Sequence, residues 1–171
     1  MACTTPPELL TRQHALVVGR SGELATLSEL LLRGWLPARP EIDVGDDALI
    51  LDGIGTLLRV QIKSATSTLA DGGRCRRAQF SLRLDQIQTA QTPDLCYVLA
   101  TRIDDQWTNF VILSRDDLRI EHDLHGVGSA HQGRLTLNLY FRSDGTVMAG
   151  TSHGDAQRDW TRFRDRWPQA A

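Results

Sequence analysis

Asp43, Asp46 and Asp47 crowd into one short turn, and Gln61 and Lys63 follow two residues apart at the far end of the same stretch, IDVGDDALILDGIGTLLRVQIKS, Ile42 to Ser64. Carboxylates are ligands for hard cations, and Mg²⁺ needs only one or two of them beside neutral oxygens and water. In an extended chain alternate residues share a face, so Arg59, Gln61 and Lys63 point one way and Leu58, Val60 and Ile62 the other. Asp47, the Gln61 amide oxygen and the Ile62 backbone carbonyl together offer an oxygen site for Mg²⁺, with the Lys63 ammonium beside it. A cation there would polarise a phosphodiester and activate a water, while Lys63 stabilised the developing negative charge. Asp46 is the rival of Asp47. Asp47 is preferred because it abuts the apolar run Ala48 to Leu51, and a slip of one residue would exchange their faces.

Lys63 is the single lysine among 19 lysines and arginines. Lysine is a compact point charge and arginine a wide planar fork, so a cramped site beside a metal and a water admits the first and not the second. Glu23 lies upstream on a predicted helix and borders its apolar face. A carboxylate on a buried face needs a partner, and Glu23 can complete the cation's shell directly or through a water. Its alternative role is that of a first-turn residue favoured by the helix dipole.

These groups require particular elements. A helix is expected from His14 or Ser21 to Arg33, stopped by Gly34, with Leu24, Leu27, Leu30 and Leu31 as its buried stripe. Trp35 to Arg39 reads as a short strand limited by Pro40. Ala48 to Leu51 and the alternating run that ends at Lys63 are strands, joined by a turn at Asp52, Gly53 and Gly55. Residues 64–76 read as a loop, and Gln79 to Leu84 returns to alternation. Leu95 to Ala100 is apolar enough for a central strand buried on both faces. Trp107 to Ser114 pairs with it across an Asp104-Asp105 turn, and Ser114 caps a helix from Arg115 to Ile120. Residues 121–133 are a polar loop, Arg134 to Phe141 a strand, and Asp155 to Trp167 an arginine-rich helix. The expected class is α/β in the mixed α+β sense, a central mixed sheet flanked by helices, in one domain over 1–171. Residues 1–13 are expected to be a loose lead-in.

Composition is that of an ordinary globular protein, with 41% apolar and 23% charged residues. No apolar run approaches the roughly 20 residues needed to span a bilayer, and the N-terminus lacks a signal-peptide pattern. Cys3, Cys75 and Cys96 are odd in number and widely spaced, which points to free thiols in a cytoplasmic protein with no membrane association. A net charge of −2 disfavours a generic nucleic-acid coat but not a nucleic-acid enzyme with a local basic strip. Arg74, Arg76, Arg77 and Arg83 are candidate nucleic-acid contacts. Arg158, Arg162 and Arg166 would share one face of the terminal helix. His122, His125, His131 and His153 match no zinc spacing and belong to polar loops.

The joint order of these pieces resembles the PD-(D/E)xK nuclease superfamily, the restriction-endonuclease-like fold. GELATLSELLLRGW, then PEIDVGDDALIL, then RVQIKSA follow the order of its Gln-containing branch, which resembles group I intron-encoded endonucleases. The resemblance covers residues 15–120, leaving 121–171 as a C-terminal extension. It implies Asp47 as the principal metal ligand, Gln61 in place of a second acidic ligand, Lys63 as the catalytic lysine and Glu23 as the helix carboxylate. It further implies a Mg²⁺- or Mn²⁺-dependent nuclease acting on duplex or branched DNA, with a homodimer as the simplest way to cut both strands. The departure is Gln61, a neutral amide that weakens metal affinity. The alternatives are a non-catalytic nucleic-acid- or protein-binding member of the fold, and a structural protein whose acidic turn is only a turn.

Overall fold

A computed structural model describes residues 7–41, 45–150 and 157–170, with the backbone alone for 7–12. Asp43, His153 and Asp155 lie outside the described residues. In chain order the elements are α1 (Pro7–Leu32), β1 (Leu36–Ala38), β2 (Ala48–Leu51), β3 (Leu57–Thr66), β4 (Thr68–Ala70), β5 (Cys75–Arg83), α2 (Leu84–Gln88), β6 (Leu95–Ile103), β7 (Gln106–Ser114), α3 (Arg115–Asp123), β8 (Ser129–His131), β9 (Arg134–Arg142), β10 (Val147–Gly150) and β11 (Arg158–Asp159). Among the described residues no helix is long and apolar enough to cross a membrane.

The class is mixed α+β, built on two sheets. The first has the order β1-β2-β3-β6-β7 and is mixed, because β3 and β6 run parallel from Arg59↔Leu95 to Thr66↔Arg102 while its other pairs are antiparallel. Parallel neighbours need a long crossover, which here runs through β4, β5 and α2. The second sheet is antiparallel, in the order β11-β10-β9-β5-β4 with β8 beside β9.

Alternation assigns the faces. Tyr97, Leu99, Val111 and Leu113 of the first sheet share a core with Ala78, Phe80, Leu82, Leu135, Leu137 and Leu139 of the second. Val60, Ile62, Val98, Ala100, Phe110 and Ile112 point the other way, into a core closed by Leu30 and Trp35. One face of the mixed sheet is therefore covered by α1 and the other by a second sheet. Each aliphatic side chain buried there contributes roughly 1.5–3 kcal/mol.

Several expectations need correction. Residues 7–13 are the first turns of α1, since Pro7 suits the first helical position. The buried side of that helix is Gly22, Thr26 and Leu30; Leu24 and Leu31 are 51% and 54% exposed. The helix rests on β3 through its small residues, which turns the leucine stripe partly outward. Residues 64–76 are not a loop: β3 continues to Thr66 and a hairpin of β4 and β5 follows. Within the expected C-terminal extension, β9 pairs along the whole of β5, from Cys75↔Arg142 to Arg83↔Arg134.

The described part of the expected terminal helix is extended, with one short 3-10 turn at Thr161–Phe163. Trp160 and Phe163 enter the core between the sheets, whereas Trp167 enters the core under α1. A single helix could not serve both, so the segment wraps the edge of β7, where Asp165 N–H donates to Phe110 O at 2.8 Å and Arg164 bridges Val111. Arg158, Arg162 and Arg166 accordingly share no helix face.

Candidate active site

The start of β2 and the middle of β3 build the site. Asp47 N–H donates to Val60 O at 3.0 Å, which sets Asp47 opposite Gln61 just beyond the Ala48↔Val60 pair. Asp47 Oδ2 accepts the Ile62 N–H at 2.6 Å and an N–H of the Gln61 amide. Gln61 also approaches the Ile62 carbonyl at 3.5 Å. Burial raises the Asp47 carboxyl above its ordinary range. The Ile62 N–H and the Lys63 charge oppose that, and the Glu23 charge adds to it. Lys63 is half-buried and forms no ion pair among the described residues, although its charge acts on Asp47.

Asp46 faces a different partner. It is buried against Arg59, which donates to both of its carboxylate oxygens, at 2.6 and 2.8 Å, and also to the Pro93 carbonyl at 3.4 Å. This fork-on-carboxylate pair raises Arg59 above its ordinary value.

Glu23 reaches the site because its neighbour is glycine. A Cβ on Gly22 would stand 2.2 Å from Ser64 Oγ and 2.8 Å from Trp107 Cη2, so only glycine lets α1 approach β3 this closely. Trp107 Nε1 donates to Ser21 Oγ at 2.8 Å and Ser64 Oγ to Gly19 O at 3.4 Å, which fixes the contact. Glu23 Oε1 is ion-paired with Arg20 at 2.8 Å and Arg39 at 2.9 Å. Glu23, Asp47, Ile62, Lys63 and Ser64 line one cleft of about 420 Å³. Sequence proximity hints at Arg20, three residues before Glu23 on one helix. Arg39 and Arg59 carry no such signal, since their partners arrive through the fold.

The donor set suits a hard cation. Asp47 and the Ile62 carbonyl offer oxygen, whereas Gln61 turns its amide nitrogen toward both and would present its oxygen to a cation only with the amide turned over. Glu23 and Asp47 repel one another in a partly desolvated place where positive charge relieves both. Among the described residues no three His, Cys, Asp or Glu side chains gather around a cation position, so neutral oxygens must complete any shell. His122 Nδ1 lies 2.9 Å from Val127 O; His122 belongs to α3 and His131 to β8 rather than to a polar loop, and only the exposed His125 lies between elements.

The four candidate arginines do not share one surface: Arg74 and Arg76 line a cleft at the turn between β6 and β7, apart from Arg77. Arg74 is solvated beside Asp71, and Arg76 is tied to Asp104. Arg83 donates to Asp85 at the start of α2 at 3.1 Å. Arg77 alone of the four lines a groove beside the cleft.

No protein-family model matches the chain, and no curated protein matches it. Among solved structures, the chain is similar to the bacterial homing endonuclease I-Ssp6803I, at 15% sequence identity and a TM-score of 0.49, over 88% of this chain and 86% of that one.

Proposed function

We propose that the protein is a metal-dependent endodeoxyribonuclease of the PD-(D/E)xK type, hydrolysing DNA phosphodiester bonds with an activated water. The observation that supports this reading is the convergence of Asp47, Glu23 and Lys63 on one cleft, with Gln61 and Ile62 bonded to the same carboxylate oxygen. Mg²⁺ or Mn²⁺ would be held by Asp47, Gln61, the Ile62 carbonyl and Glu23, the last directly or through a water, and would supply Lewis-acid polarisation and a water of lowered pKa. Asp47 binds and orients through its anchored carboxylate. Lys63 sets an ammonium against the charge that builds on the phosphoryl oxygens. α1 closes one side of the cleft against bulk water. A homodimer would bring two such sites to the two strands of a duplex, which sedimentation velocity with and without DNA tests. A cytoplasmic location goes with this reading.

The test is cleavage of supercoiled plasmid, branched DNA and single-stranded DNA with Mg²⁺ or Mn²⁺. Asp47→Ala and Lys63→Ala should each slow cleavage by roughly 10²–10³-fold. Activity that survives both changes would sink the mechanism. One observation favours a second reading, a non-catalytic binding protein: two arginines already neutralise Glu23. Absence of cleavage on every substrate, with DNA binding intact, would select it.

A further inference from the structure

Beyond the cleft a second groove continues along the same wall. Ala15 and Ser64 belong to both. From Ser64 the groove passes Thr66 on β3 and Thr68 on β4 and reaches Arg77 and Gln79 on the outer face of β5, with His14 of α1 along its side. Its lining holds two basic residue types, several hydroxyls and an amide, and no carboxylate. Arg76 and Arg77 are adjacent and diverge: Arg76 is held by Asp104, whereas Arg77 makes no ion pair among the described residues. Gln79 is fixed by its amide N–H to Asn138 Oδ1, 3.3 Å away across the β5–β9 pair.

We infer that this groove is the track along which the nucleic-acid strand lies beside the scissile bond, with Arg77 on a backbone phosphate and Gln79 as its hydrogen-bonding floor. The inference rests on the nuclease reading for the position of the scissile bond. Thr66 stands three residues beyond Lys63 on the same strand, about 10 Å at a strand rise of ~3.3 Å. That distance corresponds to about three nucleotides of duplex rise at ~3.4 Å each. The track is chemically unlike the other arginine-lined cleft, at the turn between β6 and β7, where Asp104 faces Arg74, Arg76, Arg142 and Arg164. There a neighbouring carboxylate answers the positive charge; along the groove from Ser64 to Gln79 no lining residue does.

The experiment is fluorescence anisotropy of a labelled mixed-sequence 30-base-pair duplex, in Mg²⁺, with the full chain carrying Asp47→Ala so that little cutting intervenes during the measurement. Added Arg77→Ala should weaken binding about tenfold at low salt and reduce the slope of log K against log salt by about one, the signature of one lost phosphate contact. Arg77→Lys should recover most of the slope. Arg119→Ala, on an arginine already paired with Asp116 away from the groove, should change neither. An unchanged slope in Arg77→Ala, a loss equal to that of Arg119→Ala, or no binding by the parent chain would overturn the track. Failure of the nuclease reading shows separately, as cleavage that survives Asp47→Ala and Lys63→Ala.

Discussion

Asp46 and Asp47 are adjacent in sequence and committed to different partners: the first is locked by both arms of the Arg59 guanidinium, the second takes the Ile62 N–H and faces Lys63 and Glu23 across a cleft. One is tied into the fold, and in the proposed nuclease the other acts. Removing one partner of a buried pair strands the other, at a cost of about 3–5 kcal/mol. Asp46→Ala should therefore lower stability by about 3 kcal/mol in urea denaturation. Asp47→Ala should cost far less and slow cleavage by roughly 10²–10³-fold. Equal stability losses from the two changes would contradict this division.

Asp47 carries a pH signature of its own. Its carboxyl is raised in the folded protein, mainly by burial, so the folded state holds the proton to higher pH than the unfolded chain does. Stability from this group is fully present below the unfolded value of 3.8 and is lost as pH rises through the raised folded value. Without added divalent cation, Asp47→Asn should raise the melting temperature at pH 7 and lose that advantage as the pH falls to about 3.5. Melting curves of both proteins across that range check the sign. A gain that grew on acidification would show that Asp47 is stabilised as the anion instead.

The pieces of the site that lie within one strand pair were legible in the sequence. Alternation from Leu58 to Lys63 and the apolar run Ala48–Leu51 define the two strands, and their antiparallel register sets Asp47 against Gln61. The Asp104-Asp105 turn and the Ser114 cap were equally local, and both are present, the cap as a reciprocal Ser114–Asp117 box. What failed depended on contacts remote in sequence. The face of α1 is chosen by Ser64 and Trp107, which no helical periodicity reveals. Trp160, Phe163 and Trp167 have helix-like spacing, yet they anchor in two cores on opposite sides of a sheet.

Gly22 is the residue on which the position of Glu23 depends. Glycine in a helix costs about 1 kcal/mol relative to alanine, so Gly22→Ala would stabilise an isolated helix. Here the added methyl meets Ser64 and the Trp107 ring. Overpacking of this kind typically costs about 1–3 kcal/mol, and the change should lower stability by about 1–2 kcal/mol net while reducing cleavage as Glu23 shifts. Ser64→Gly in the same chain removes the nearer obstacle and should restore part of both losses. A double-mutant cycle in urea with no coupling between the two positions would show that the helix does not rest on this contact.

Glu121 performs the corresponding task for the C-terminal segment. It is 2% exposed, on the last turn of α3, and it gathers three donors from the C-terminal segment: Arg162 at 2.9 Å, Trp160 Nε1 at 3.0 Å and Arg158 at 3.3 Å. Both arginines are partly solvated, so the carboxylate is the desolvated member and depends on them. Glu121→Gln keeps the size and an acceptor for the indole but sets an uncharged amide against two guanidinium groups. It should cost about 1–2 kcal/mol, less than the ~3 kcal/mol expected of Glu121→Ala, which leaves the indole N–H unsatisfied as well. The loss should be local before it is global. Trypsin should cut at Arg158 and Arg162 in Glu121→Ala under conditions that leave the parent intact, with Trp160 emission shifted to the red as its ring meets water. The Asp47 cleft is built by other elements, so cleavage should persist in the fraction that stays folded. Equal trypsin resistance in the two proteins would mean that burial of Trp160 and Phe163 holds the segment without the carboxylate.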